Sequence, residues 1–179
     1  MKVFAVVSLV KFIRQPKWLA YFDKNFVKHD WHVTLKQTCI IKAKDISDIK
    51  KKLEELNKKL KIKNDRIKLN FNKLFIDKEK RFSGKTIMIR SGNKEIVRLQ
   101  KKVVAALKGY NNYNEEESRV WEKNFHPHIT IASSLNEKGY EKAKEHIGKN
   151  IVCEGVVNSI TLIYKESEEK KMTKNYLFK

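Results

Sequence analysis

Between residues 2 and 10 the chain is apolar and rich in β-branched side chains (Val3, Phe4, Val6, Val7, Leu9, Val10), which predicts a buried strand. Pro16 suits the first turn of a helix reaching about Lys28, with Trp18, Leu19, Phe22 and Phe26 at helical spacing. Trp31 to Thr38 alternates and predicts a second strand. Behind a cap at Asp45 or Ser47, the positions Ile46, Ile49, Leu53, Leu56 and Leu60 recur at steps of three and four, so a helix follows. Ile67, Leu69 and Phe71 alternate with Lys68, Asn70 and Asn72 in a half-buried strand. Residues 77–84 read as a charged loop and Thr86 to Arg90 as a short strand. Ile96, Leu99, Val103 and Leu107 then mark a helix closed by Gly109. The polar stretch 110–124 predicts a mobile loop. Pro127 to Ala132 is a predicted strand and Asn136 to Ile147 a helix closed by Gly148. Ile151 to Tyr164 follows as one long or bent strand, and residues 172–178 as the last.

The resulting order is β-α-β-α-β followed by β-α-β-α-β-β. Two halves, about 1–76 and 84–179, repeat the same succession of elements although they share little sequence. The expectation is an α+β fold, a single domain of two pseudo-repeat lobes with outer helices. In each half the second strand carries the tripeptide His-x-Thr, and an approximate two-fold would bring these strands near one another.

Composition narrows the function. A chain of 179 residues with 41% hydrophobic side chains can bury a real core. Its longest apolar run, Val3 to Val10 interrupted by Ser8, is far short of the ~20 residues of a membrane span. That run also lacks the flanks of a secretory leader, and no membrane association is expected. The net charge of +19 favours polyanions, nucleic acid first among them, although 34 of the 40 basic residues are lysines that a solvated surface would equally explain. Cys39 and Cys153 stand far apart, without metal or disulfide spacing, which fits a reducing, cytoplasmic setting. Both fall in predicted strands, where buried, inert thiols are expected.

The chemistry-bearing signal is His32-Val33-Thr34-Leu35 and His128-Ile129-Thr130-Ile131. With five His and six Thr in the chain, about 0.17 copies of His-x-Thr are expected by chance, so two copies, one in each half, call for an explanation. In a strand, residues two apart point to one face, so each His projects with its Thr while the intervening apolar residues enter the core. Two imidazoles and two hydroxyls on one cleft suit a phosphodiester. One ring can deprotonate the attacking oxygen and the other protonate the leaving one, while the hydroxyls donate to the non-bridging oxygens. That chemistry requires neither metal nor cofactor.

The two motifs, 96 residues apart, the second within Phe125-His-Pro-His-Ile-Thr-Ile-Ala132, resemble the two-histidine phosphoesterase superfamily, which includes the 2′-5′ RNA ligases and RNA 2′,3′-cyclic phosphodiesterases. The resemblance implies a bilobal α+β fold with a central cleft, metal-independent action on cyclic phosphodiesters or 2′-5′ linkages, and catalytic roles for His32, Thr34, His128 and Thr130. Many members carry a basic residue shortly after the second motif, where this chain has Ser133 and Ser134. The phosphate-binding cation is thereby left to be found.

Lys36 is the first candidate for it, since alternation puts it on the face of Thr34; a solvated strand-end lysine is the alternative. Tyr164 and Tyr176, near the ends of the last strands, are candidates for stacking on a base, against packing at a sheet edge. His126 suits a supporting or solvent-facing role, and a zinc site from His32, His126 and His128 is the alternative to a metal-free pair, one that would usually also recruit supporting carboxylates. His29 and His146 read as surface residues. Partners are therefore RNA ends or small cyclic or 2′-5′ nucleotides, acted on by a monomer. A phosphodiesterase for a signalling oligonucleotide and a non-catalytic RNA-binding module are the competing functions.

Overall fold

The computed structural model describes residues 2–14, 16–25, 30–62, 65–78, 84–147, 151–165 and 171–178. The element order is β1 (Lys2–Leu9), β2 (Lys11–Arg14), α1 (Lys17–Asn25), β3 (His32–Ile41), α2 (Asp45–Lys59), β4 (Ile67–Lys78), β5 (Lys85–Ser91), α3 (Lys94–Ala106), α4 (Glu116–Lys123), β6 (His128–Leu135), α5 (Glu137–Ile147), β7 (Cys153–Val157), β8 (Ser159–Lys165) and β9 (Lys171–Leu177). The strands form two antiparallel sheets, in the orders β3-β1-β8-β9 and β2-β7-β4-β5-β6. The fold is α+β. Helix α2 packs on β8 and β9, α3 and α4 pack on β3, and α1 and α5 lie together against β6.

The sheets do not follow the division of the chain near residues 76–84. Strands β4 and β5, on either side of it, pair antiparallel in the second sheet, while β8 and β9 return from the far end of the chain to β1. The predicted N-terminal strand is β1, and after Val10 the chain crosses to the other sheet as a further strand, β2. The stretch 151–164 likewise breaks at Asn158, with β7 in one sheet and β8 in the other. Residues 116–123, read as loop from their polarity, form α4. Its inward positions are Ser118 and Glu122, one turn apart and both buried, so no apolar stripe announces the helix. Helix α3 starts where Asn93 caps it, its side-chain oxygen accepting from the N–H groups of Glu95 (2.7 Å) and Ile96 (3.1 Å). Phe26, Lys28, His29, Ser83 and Gly148 lie outside the described residues.

Near its end β6 departs from regular pairing with β5. Lys85 pairs with Leu135 and Ile87 with Ala132, so Ser133 and Ser134 together face Thr86, and Ser134 adopts φ 57°. Gly84 permits this. A Cβ there would stand 2.6 Å from the Ser134 carbonyl carbon and 2.9 Å from the Leu135 nitrogen and oxygen, all backbone atoms that cannot swing aside. Gly84→Ala is expected to cost ~1–3 kcal/mol, read as a lower urea midpoint with unchanged slope.

Candidate active site

Strand β3 is the edge of the first sheet and β6 the edge of the second, and the two lie against one another. In β3, His32 pairs with Leu9 and Thr34 with Val7, so both project from one face, while Val33, paired with Ser8, is buried on the other. In β6, His128 pairs with Arg90 and Thr130 with Met88, with Ile129 and Ile131 buried on the opposite side. The apolar residues of each motif thus fix which way its polar pair points.

The two rings are held in the same way. His32 Nδ1 donates to the Asp30 carbonyl at 2.9 Å and His128 Nδ1 to the His126 carbonyl at 2.8 Å, in each case the residue two positions earlier. A carbonyl oxygen only accepts, so in the neutral ring the hydrogen is assigned to Nδ1 and the lone pair to Nε2. Nε2 is then the atom that takes or gives a proton.

Burial holds the His128 ring below its ordinary value of 6.5, and positive charge at Arg90, His32 and His126 adds to this, against the opposing hydrogen bond to His126. At neutral pH His128 is therefore a neutral base. The unfolded chain takes up that proton at about pH 6.5 and the folded chain only at lower pH. The contribution of His128 to stability is thus intact above pH 6.5 and is lost as pH falls through its folded value. A series of urea midpoints between pH 8 and 5 should decline on the acid side, and His128→Gln should flatten part of that decline. An unchanged decline would mean that other groups cause it.

Around His128 stand side chains that sequence patterning does not single out. The Trp121 ring, from α4, lies 5.7 Å from it between centroids, and Phe75, from β4, meets Trp121 edge-on at 6.4 Å. The Arg90 guanidinium lies over Phe75, 3.6 Å from the ring centroid. Beside His32 is a cavity of about 270 Å³ lined by Leu9, Asp30, His32, Thr161, Ile163, Thr173 and Asn175. Thr161, Thr173 and Asn175 come from β8 and β9, whose cleft-side positions follow from the pairing of β8 with β1 (Thr161 with Val7) and of β9 with β8 (Asn175 with Thr161, Thr173 with Ile163). The Thr161 hydroxyl is buried without a hydrogen-bond partner.

Lys36 is not on this face. Lys36 pairs with Val6 while Thr34 pairs with Val7, so an extra residue at Leu35 bulges the strand and turns Lys36 to the helix side. There the side chain is 0% exposed and its ammonium is committed. Lys36 Nζ donates to Glu122 Oε1 at 2.8 Å, to Asn111 Oδ1 at 3.0 Å and to the Tyr113 hydroxyl at 3.3 Å. Glu122 also accepts from the Tyr113 hydroxyl (2.6 Å) and from the Gln37 N–H (3.0 Å). The cluster fastens α4 to β3 and so sets Trp121 against His128.

Tyr164 and Tyr176 are likewise on the far side of their sheet, alternating with the cleft-side Ile163 and Asn175. Tyr164 accepts from Lys50 Nζ (2.8 Å) and Tyr176 donates to the Lys50 carbonyl (3.1 Å), both packed under α2 and away from the two histidines. The side chain of His126 is exposed, and His146 stacks on Tyr21, 3.6 Å between centroids. Cys39 and Cys153 are buried, and burial pushes their thiols up to about 11 and about 12. Among the described residues no helix is long and apolar enough to cross a membrane.

Comparison with known proteins places the fold and the family. Three solved structures share the fold at low identity. TT0787 of Thermus thermophilus is 13% identical, with a TM-score of 0.58 over 98% of this chain and 94% of that one. LigT of E. coli in apo form is 14% identical, with a TM-score of 0.54 over 97% and 94%. Usb1 of Kluyveromyces marxianus is 8% identical, with a TM-score of 0.54 over 96% of each chain. A search of curated protein sequences finds no match. The family model described as the 2′-5′ RNA ligase superfamily matches residues 6–169, a span that takes in both His-x-Thr strands and leaves out only the two ends. The chain therefore belongs to the 2′-5′ RNA ligase superfamily.

Proposed function

We propose that this chain is a phosphodiesterase acting on RNA ends, opening 2′,3′-cyclic phosphates or cleaving or joining 2′-5′ linkages, with His32 and His128 as a general acid and base pair. The observation that carries the reading is the matched hold on the two rings. Each Nδ1 is tied to the carbonyl two residues earlier, on edge strands that meet, so that each ring exchanges protons through Nε2.

For a cyclic phosphate, the neutral Nε2 of one ring takes a proton from water as the water oxygen bonds to phosphorus. The protonated Nε2 of the other gives its hydrogen to the ribose oxygen as its bond to phosphorus breaks. One P–O bond forms, one breaks, and the two rings exchange protonation states, which solvent then restores. The Thr34 and Thr130 hydroxyls donate to the non-bridging oxygens, where charge builds.

Two further observations support a nucleotide substrate. The cavity beside His32 combines apolar walls, Leu9 and Ile163, with the polar groups of Asp30, Thr161, Thr173 and Asn175, a lining suited to a sugar and base. Structures of relatives are described as Usb1 with uridine monophosphate and as LigT with 3′-AMP or with phosphate.

The deciding experiment incubates the protein with a 2′,3′-cyclic nucleotide in the presence of EDTA and identifies the product. A single nucleoside monophosphate isomer, formed at a rate that chelation leaves unchanged, is expected. Salt-dependent RNA binding with no product would support a binding module instead. A panel that includes 2′-5′-linked oligoadenylates distinguishes RNA ends from signalling oligonucleotides.

A further inference from the structure

A phosphodiester carries a negative charge that a fixed cation would hold firmly in the cleft, and neither His-x-Thr motif supplies one. Lys36 is turned away and paired with Glu122, and Ser133 and Ser134 follow the second motif. We propose that Arg90 grips the non-bridging oxygens of the substrate phosphate beside His128. The inference rests on the phosphodiesterase reading for its substrate and on the following geometry for its residue.

Arg90 is the direct partner of His128 in the register of β5 and β6. Paired residues share a face with their Cβ atoms ~4.5–5.5 Å apart, so guanidinium and imidazole leave the sheet side by side. Packing fixes the plane of the guanidinium, because it lies on Phe75, Phe75 meets Trp121, and Trp121 touches His128. Arg90 Nε is buried with no acceptor, and no carboxylate among the described residues pairs with the side chain. A planar fork of donors, immobilised by an aromatic face and lacking its own anion, matches two oxygens of a phosphate. Lysine has no such plane. The same charge helps to keep the neighbouring imidazole neutral and able to accept a proton.

Arg90→Met keeps an unbranched stem on Phe75 and removes the charge, while Arg90→Lys keeps the charge and removes the fork. For Arg90→Met, kcat/KM on a 2′,3′-cyclic nucleotide should fall ~10²–10³-fold. The Kd for inorganic phosphate, measured by calorimetric titration, should rise about tenfold or more. Arg90→Lys should recover only part of either. An NMR titration of His128 in Arg90→Met should move to higher pH, with His32 and His126 left as the titratable neighbours and Trp121 as the uncharged one. A folded Arg90→Met that binds phosphate within twofold of the parent overturns the inference. If Arg90→Met does not fold, undiminished phosphate affinity and rate in Arg90→Lys do so. Phosphate binding is read without turnover, so it also separates the two ideas. A parent protein that binds phosphate through Arg90 but opens no cyclic nucleotide refutes the activity alone.

Discussion

Turnover of an oligonucleotide ending in a 2′,3′-cyclic phosphate is expected to fall by ~10²–10⁴ in His32→Ala and by a similar factor in His128→Ala. Each ring has one proton to move, and neither the guanidinium nor the indole packed on His128 can replace it, while among the groups lining the cavity at His32 only the Asp30 carboxylate is of a kind that can take a proton. Because attack and departure occur around one phosphorus, the double variant should lose little beyond the worse single one. Both substitutions shorten a partly exposed side chain on the cleft face, so thermal melts at pH 7.5 should stay close to the parent's. Undiminished turnover in either folded single variant would remove the basis for the proposed function.

The second large effect concerns stability. Lys36→Met is expected to cost ~3–5 kcal/mol, because Glu122 is left buried without its cation and breaking such a pair strands a charge. The side chains are 0% and 4% exposed, so solvent does little to soften the loss. Replacing both partners, as Lys36→Met with Glu122→Leu, should restore part of the stability, since no buried charge then remains. Restoration stays incomplete because the Tyr113 hydroxyl and the Gln37 N–H lose their acceptor. Urea midpoints of the single and double variants form the check. A loss below ~1 kcal/mol in Lys36→Met would show that the cluster relaxes without its lysine.

The meeting of the two motif strands was legible because it rests on the simplest regularity of a strand, the alternation of faces, and Val33, Ile129 and Ile131 obey it. The placement of Lys36 was not legible, since one extra residue in a bulge reverses every face assignment beyond it and depends on how β3 pairs with β1. Helix α4 was hidden for a different reason. Its buried positions, Ser118 and Glu122, are polar, and Glu122 is satisfied by Lys36 and the Gln37 N–H, far away in sequence. Tyr164 and Tyr176 were assigned to the correct strands, but which side of a sheet receives a helix is a property of the assembled fold. Arg90 gave no signal because its relation to His128 is created by the register of β5 against β6, which no local pattern encodes.

The hold on the two imidazoles comes from main-chain oxygens, and the side chains of Asp30 and His126 take no part in it. Positions 30 and 126 are therefore interchangeable as far as ring tautomer is concerned. Asp30→Asn or His126→Ala would alter what the rim of the site presents to an incoming nucleotide while leaving each Nδ1 hold in place, although His126→Ala also removes one of the groups that lower the His128 pKa. Selectivity can drift at these two positions without a change of ring tautomer.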